Sequence, residues 1–143
     1  QIVISGAKKE LSKSKDLFLD MGIKKFVELN VSAAFHSKFM YQAQEKLSQD
    51  INLLNFHENK INIISNYDAN IYNDNASIKK NLQHQMANKV NWTKSIKKLE
   101  EIGENDILEF GPGKVLSGLI NRISKNFNIK LINEIEDLSS WMK

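Results

Sequence analysis

An α/β domain with largely parallel strands is the fold class this sequence predicts, on three observations. Short, apolar, β-rich runs alternate along the chain with longer runs whose apolar residues recur at helical spacing. Glycines punctuate the seams, at Gly6, Gly22, Gly103 and in Gly111-Pro112-Gly113. The chain has 143 residues, 41% of them hydrophobic and 26% charged, which suits one ordinary domain with a real core.

Ile2–Ser5 reads as a short buried strand closed by Gly6. Residues 7–21 carry Leu11, Leu17, Phe18 and Met21 on one helical face, with Gly22 as the C-terminal cap. Phe26–Val31 is a second strand, so the chain opens as strand, helix, strand. After a loop at 32–37, a helix from about Lys38 to Leu53 presents Phe39, Met40, Ala43, Leu47, Ile51 and Leu54 as its stripe. Ile61–Ser65 is strand-like and Asn66–Asn70 turn-like. Asp74 or Asn75 can cap a helix from Ala76 to about Ala87. A further helix spans about Asn91–Ile102, a strand Ile107–Phe110, a helix Lys114 to about Asn126, a strand Ile129–Ile132 and a short helix Asp137–Lys143. A strand that opens at Gln1 with nothing before it suggests a chain cut inside a fold.

Composition narrows the function classes. No apolar run approaches the ~20 residues of a membrane helix, and no signal-peptide pattern opens the chain. With no cysteine there is neither disulfide nor thiolate chemistry in the segment, which fits a cytoplasmic enzyme. The net charge of +3 is almost all lysine, with Arg122 the sole arginine. Nucleic-acid binders lean on arginine for bidentate contacts, so the lysines read as a solvated surface, mildly attractive to an acidic partner.

Of three histidines, His57 lies in a polar loop and His84 in a helix, and both read as structural. His36 stands among small residues where a strand-like run gives way to a helix-like one. Histidine can take and return a proton near neutral pH, and a loop on a rigid scaffold aims such a group. From position alone, His36 reads equally as a structural residue and as a proton carrier. No histidine pair has metal-ligand spacing. Gly111-Pro112-Gly113-Lys114 lacks the upstream glycine of a phosphate-binding loop, so it reads as a tight turn whose helix start could still face a ligand. Ser32 and Ser37 flank His36, but neither lies in a G-x-S-x-G elbow, and no nucleophile is assigned.

Five segments in order then carry a resemblance. They are Gln1-Ile2-Val3-Ile4-Ser5-Gly6, Val31-Ser32-Ala33-Ala34-Phe35-His36-Ser37, Ile64-Ser65-Asn66-Tyr67-Asp68-Ala69, Gln85-Met86 through Val90-Asn91-Trp92, and Glu109-Phe110-Gly111-Pro112-Gly113-Lys114-Val115-Leu116-Ser117-Gly118-Leu119. Together they resemble the C-terminal half of the malonyl-CoA:acyl carrier protein transacylases. The resemblance implies part of an α/β-hydrolase-like core. Residues 1–30 would end an inserted ferredoxin-like small subdomain, and residues 31–143 would belong to the core.

It also implies roles. His36 aligns with the family's general base and Gln85 with the residue whose backbone carbonyl orients it. Phe35 aligns with a position that crowds an α-methyl branch and so favours malonyl over methylmalonyl groups. Gln1 and Val115 align near the acyl-CoA pocket. The family's serine, its oxyanion loop and the arginine that grips the malonyl carboxylate have no counterpart in this chain, and Arg122 is not that arginine. The implied partners are malonyl-CoA and acyl carrier protein, with no metal or redox cofactor, no nucleic acid and no membrane, in a protein that is monomeric at full length. Ala34 and Lys89 replace the family's usual prolines, which loosens two loops without removing a reacting atom. A polyketide-synthase acyltransferase domain and a non-enzymatic fragment that binds a carrier protein or partner are the alternatives.

Overall fold

The protein, seen in a computed structural model, is described over residues 2–141, the side chains of Ser140 and Trp141 apart. Six α-helices and four strands occur among the described residues. The chain divides into two compact units, Gln1–Val90 and Asn91–Lys143.

In the first unit, helix α1 spans Lys8–Asp20. It ends as the sequence predicts. Gly22 has φ 86°, its N–H donates to the Leu19 carbonyl, and Ile23 N–H donates to Phe18, which together form a Schellman motif. The two flanking strands are not formed. Residues 2–5 and 26–31 lie outside any ladder, and α1 buries none of its residues. Strand propensity supplies an extended backbone, but a strand needs a partner for its N–H and C=O groups, and these segments have none among the described residues. Most of their apolar side chains are accordingly exposed, Ile2 by 90% and Val31 by 67%, while Phe26 stacks on Phe18 of α1 and is half-buried.

A 3₁₀ turn at Lys38–Met40 leads into α2, Tyr41–Leu53, with Ser37 Oγ accepting from Phe39 N–H at the entry. The predicted stripe is corrected here. Phe39, Ala43, Leu47 and Leu54 are exposed, whereas Met40, Gln44, Ser48 and Ile51 turn inward. Helix α3, Asn75–His84, packs against α2, and polar side chains join the two. Gln83 Nε2 donates to Asn52 Oδ1 at 2.8 Å and to the Ser48 carbonyl at 3.4 Å, and Lys79 Nζ caps the Asn52 carbonyl at 3.0 Å. Asp74 is the N-cap of α3, accepting from Ser77 N–H at 2.7 Å, and this hydrogen bond holds its carboxyl below the usual range.

Between α2 and α3 lies a small antiparallel pair, β1 (Ile63–Ile64) with β2 (Ile71–Tyr72). The sequence points to the first strand and the turn but not to β2. The turn is built by side chains. Ser65 Oγ accepts from Tyr67 N–H and donates to Asn81 Oδ1, Asp68 accepts from Asn70 N–H, and Tyr72 Oη donates to Asp68 at 2.6 Å. Partial burial pulls the Asp68 carboxyl upward, but the Tyr72 and Asn70 donors outweigh it and hold it below its ordinary value. Tyr67 stacks on His84 at 5.2 Å between ring centroids, which pins the end of α3. His84 thus makes a structural contact from the end of its helix.

The second unit is a βαβ element with a covering helix. Strands β3 (Asp106–Phe110) and β4 (Asn128–Ile132) pair in parallel, Asp106 opposite Asn128 and Phe110 opposite Ile132, joined by α5 (Val115–Ile123). Helix α4, Trp92–Glu101, lies against α5, and α6, Ile135–Trp141, against β4. Ile96, Ile120 and Phe127 form the core, with Trp92, Leu99, Ile107, Ile123 and Ile129 packed on it. The last two residues of the predicted tail helix, Met142 and Lys143, lie outside the described residues.

Candidate active site

His36 occupies a strained backbone position. Its φ is 62°, a left-handed conformation uncommon outside glycine, though asparagine, aspartate and histidine adopt it more readily than other residues, and it persists where neighbours impose it. The neighbours are identifiable. His36 N–H donates to the Met86 carbonyl at 2.8 Å, and Ser37 Oγ donates to the Ala34 carbonyl at 2.7 Å. The chain therefore turns sharply at His36 and docks on the segment that follows α3.

That segment also seats the ring. Nδ1 of His36 is 3.0 Å from the Gln85 carbonyl oxygen and 3.0 Å from the Asn88 carbonyl oxygen. Carbonyls only accept, so Nδ1 must carry the proton and share it between them. In the neutral ring the lone pair then falls on Nε2, which makes no hydrogen bond among the described residues while the side chain is exposed. The result is an imidazole of fixed tautomer and fixed orientation, with its basic nitrogen open. Among the described residues the partners of Nδ1 are these two carbonyls, and no carboxylate bonds to it.

Among the described residues, the remaining sequence-derived ones take no part in this seat. Phe35, next to the histidine, is 45% exposed. Val115 opens α5 in the other compact unit and is 71% exposed. Gln1 lies outside the described residues. Sequence reading missed the Met86 and Asn88 carbonyls, because a backbone acceptor has no residue-type signature. Asn88 does carry a local signal, a side chain whose Nδ2 donates to the His84 carbonyl at 2.8 Å and closes the turn.

The Gly111-Pro112-Gly113 turn is not a vacant anion seat. Glu109 Oε1 accepts from Leu116 N–H at 2.9 Å and Oε2 from Ser117 N–H at 2.7 Å, and Ser117 Oγ donates to the same carboxylate. The protein's own carboxylate fills the start of α5, and the Ser117 donor foremost lowers its pKa. Gly111 and Gly113 have φ of 122° and 95°, which explains the glycines without invoking a ligand. Among the described residues no group of three or more His, Cys, Asp or Glu could hold a metal ion, and no helix is long and apolar enough to cross a membrane.

These features define an α/β chain that carries a backbone-seated histidine at a loop junction. Comparison with known proteins places it more narrowly. No family profile matches the chain. The malonyl CoA-acyl carrier protein transacylase of Synechocystis sp. is 34% identical over 140 residues, which cover 98% of this chain and 47% of that protein. The polyketide biosynthesis protein PksE of Bacillus subtilis is 45% identical over 124 residues, 86% of this chain and 16% of that protein. The crystal structure of an acyl-carrier-protein S-malonyltransferase from Burkholderia pseudomallei superposes with a TM-score of 0.88 at 31% identity, covering 96% of this chain and 45% of the other. The chain is homologous to the malonyl CoA-acyl carrier protein transacylases and similar to their C-terminal half. It spans about half the length of the transacylases it matches.

Proposed function

We propose that these residues form the histidine-bearing half of a malonyl-CoA:acyl carrier protein transacylase, whose nucleophilic serine lies in a segment outside the 143 residues. The observation that carries this is the seat of His36, which leaves Nε2 as an oriented general base. In the first half-reaction Nε2 accepts the serine proton as the oxygen attacks the malonyl thioester. The tetrahedral adduct collapses, the C–S bond breaks, and the imidazolium returns the proton to the departing CoA thiolate. In the second, Nε2 takes the proton of the carrier's phosphopantetheine thiol, the sulfur attacks the acyl-serine, and the proton returns to the serine oxygen. Acyl exchange between thioesters is redox-neutral and calls for no redox cofactor. Carbonyls in place of an aspartate fix the tautomer without adding charge.

In this reading, residues 1–30 close a ferredoxin-like small subdomain, and 31–143 return to an α/β-hydrolase-like core. Phe35 crowds branched acyl groups, and Gln1 and Val115 align near the family's acyl-CoA pocket, in a monomeric, cytoplasmic enzyme. The exposed apolar side chains Ile2, Val3, Ile4, Val27, Leu29 and Val31 support it, since each is suited to burial against the rest of such a protein. The 45% identity to PksE favours a second reading, in which the carrier belongs to a polyketide assembly.

The test is malonyl transfer to holo acyl carrier protein by the protein expressed from its complete reading frame. His36→Ala should lower transfer by ~10²–10⁴-fold, the usual worth of general-base catalysis. Transfer indifferent to His36→Ala overturns the assignment, and a whole protein without transfer points to the carrier-binding alternative. Paired assays with fatty-acid and polyketide carriers separate the two enzymatic readings.

A further inference from the structure

One side chain from outside the 85–88 turn grips it. Gln44 Oε1 accepts the Ala87 N–H at 2.9 Å, and Ala87 is buried, so water cannot take over that role. Ala87 sits between the two residues whose carbonyls hold the His36 ring. Gln44 itself lies eight positions after His36 on α2, on the inward face where amphipathic spacing calls for an apolar residue. The backbone that carries it is held in turn, because Ser48 Oγ donates to the Gln44 backbone carbonyl at 2.8 Å and Gln83 from α3 reaches the Ser48 backbone carbonyl. A closed circuit results. His36 continues covalently into α2, α2 reaches Ala87 through Gln44, and the turn returns to His36 through the Gln85, Met86 and Asn88 carbonyls.

We infer that Gln44 is a positioning residue for His36: its amide oxygen sets the 85–88 turn and, through it, the tautomer and aim of the imidazole. The inference rests on the reading of His36 as general base and extends it to a side chain that never reaches the reacting atoms. A purely structural Gln44 would change stability alone, whereas a positioning Gln44 also changes the ring.

The test uses the whole protein as wild type, as Gln44→Leu, which removes the acceptor, and as Gln44→Glu, which keeps it. The expected result for Gln44→Leu is a fall in kcat of about tenfold, in line with the sensitivity of proton transfer to small misplacements, with KM for malonyl-CoA unchanged. Gln44→Glu should stay within about threefold of wild type, since the acceptor is kept. In ¹⁵N spectra of the imidazole, wild type should show the Nδ1–H form and Gln44→Leu a mixture with Nε2–H. A Gln44→Leu protein with wild-type kcat and tautomer overturns the inference, as does a Gln44→Glu protein as impaired as Gln44→Leu. The Ala87 amide of the wild-type protein gives a measurement without variants: slow hydrogen exchange is expected, and exchange at the rate of an open turn overturns the link. The spectra and the exchange do not depend on activity. A wild-type protein that transfers no malonyl therefore sinks the transacylase reading, while the Gln44–His36 link is still decided by the ring.

Discussion

Two strand–helix–strand patterns lie in this chain, in residues 2–31 and 106–132, and only the second closes. Both alternate β-rich runs with an amphipathic helix, and α1 ends in a Schellman motif as sound as that of α4, where Gly103 N–H donates to Glu100 and Glu104 N–H to Leu99. What differs is the third layer. In the second pattern, α4 brings Ile96, Trp92 and Leu99 onto α5, so that Ile120 is 2% exposed and the parallel ladder has a core to rest on. In the first, the cover is partial: Phe18 stacks on Phe26 at 6.2 Å between ring centroids, but no residue of α1 is buried and Leu17 is 59% exposed. Local signals place a helix and its cap, although a helix of this length gains most of its stability from packing, and a ladder forms only where its apolar face has something to pack on.

The largest consequence concerns hydrogen exchange. In the 143-residue chain, amides of the β3–β4 ladder should exchange slower than those of residues 23–31 by roughly three orders of magnitude or more, the span between core and unpaired segments. In the whole protein the gap should narrow as residues 2–31 gain their partners. If residues 23–31 exchange equally fast in both, nothing covers them, and the half-protein reading loses its structural support.

A core substitution sharpens the same contrast. Ile120→Ala should cost ~2–5 kcal/mol in urea unfolding, as large-to-small changes in packed cores do, while Leu17→Ala should stay within ~0.5 kcal/mol. Equal costs would mean that α1 is packed in solution.

How much of this was legible in the sequence follows from the same physics. The second unit was readable almost element by element, because Ile107, Ile120 and Ile129 each obey the spacing of an element whose partners lie nearby in the chain. Strands at 2–5 and 26–31 were read from composition that cannot report whether a partner exists. Hydropathy ranks Leu47 above Gln44 and so misplaces the stripe of α2, whose face toward α3 is joined by hydrogen bonds. His36 was found through its neighbours in the chain, but its seat was only half legible. A left-handed φ and two convergent carbonyls are backbone facts, and the side chain that fixes them, Gln44, carries no motif.

The two glycine caps offer a smaller test. Gly22 and Gly103 have φ of 86° and 81°, and neither would bring a Cβ within 4 Å of another atom, so alanine there is opposed by backbone strain alone. Gly103→Ala should destabilise global unfolding by ~1–2 kcal/mol, because α4 holds the core of its unit. Gly22→Ala in the 143-residue chain should leave global unfolding unchanged and only fray the end of α1. A shared loss from both would show that the first pattern unfolds together with the second.

The smallest effect separates the helix starts. Ala7 precedes α1 with no side-chain cap, whereas Glu109 caps α5 from β3. The Glu109 carboxyl is held below its ordinary value of 4.5, so the folded state favours its charged form. Its contribution is complete above that value and is lost as pH falls through the lower folded pKa, where protonation removes the acceptor from Leu116 and Ser117. Acid titration of stability should therefore steepen below pH 4.5 in wild type and flatten in Glu109→Gln, which carries no titrating group there. The helicity lost first should be that of α5, read from its amide shifts, with α1 indifferent to the substitution. If both proteins lose stability along the same curve, the cap does not set the acid response, and the closure of the second pattern rests on its apolar core alone.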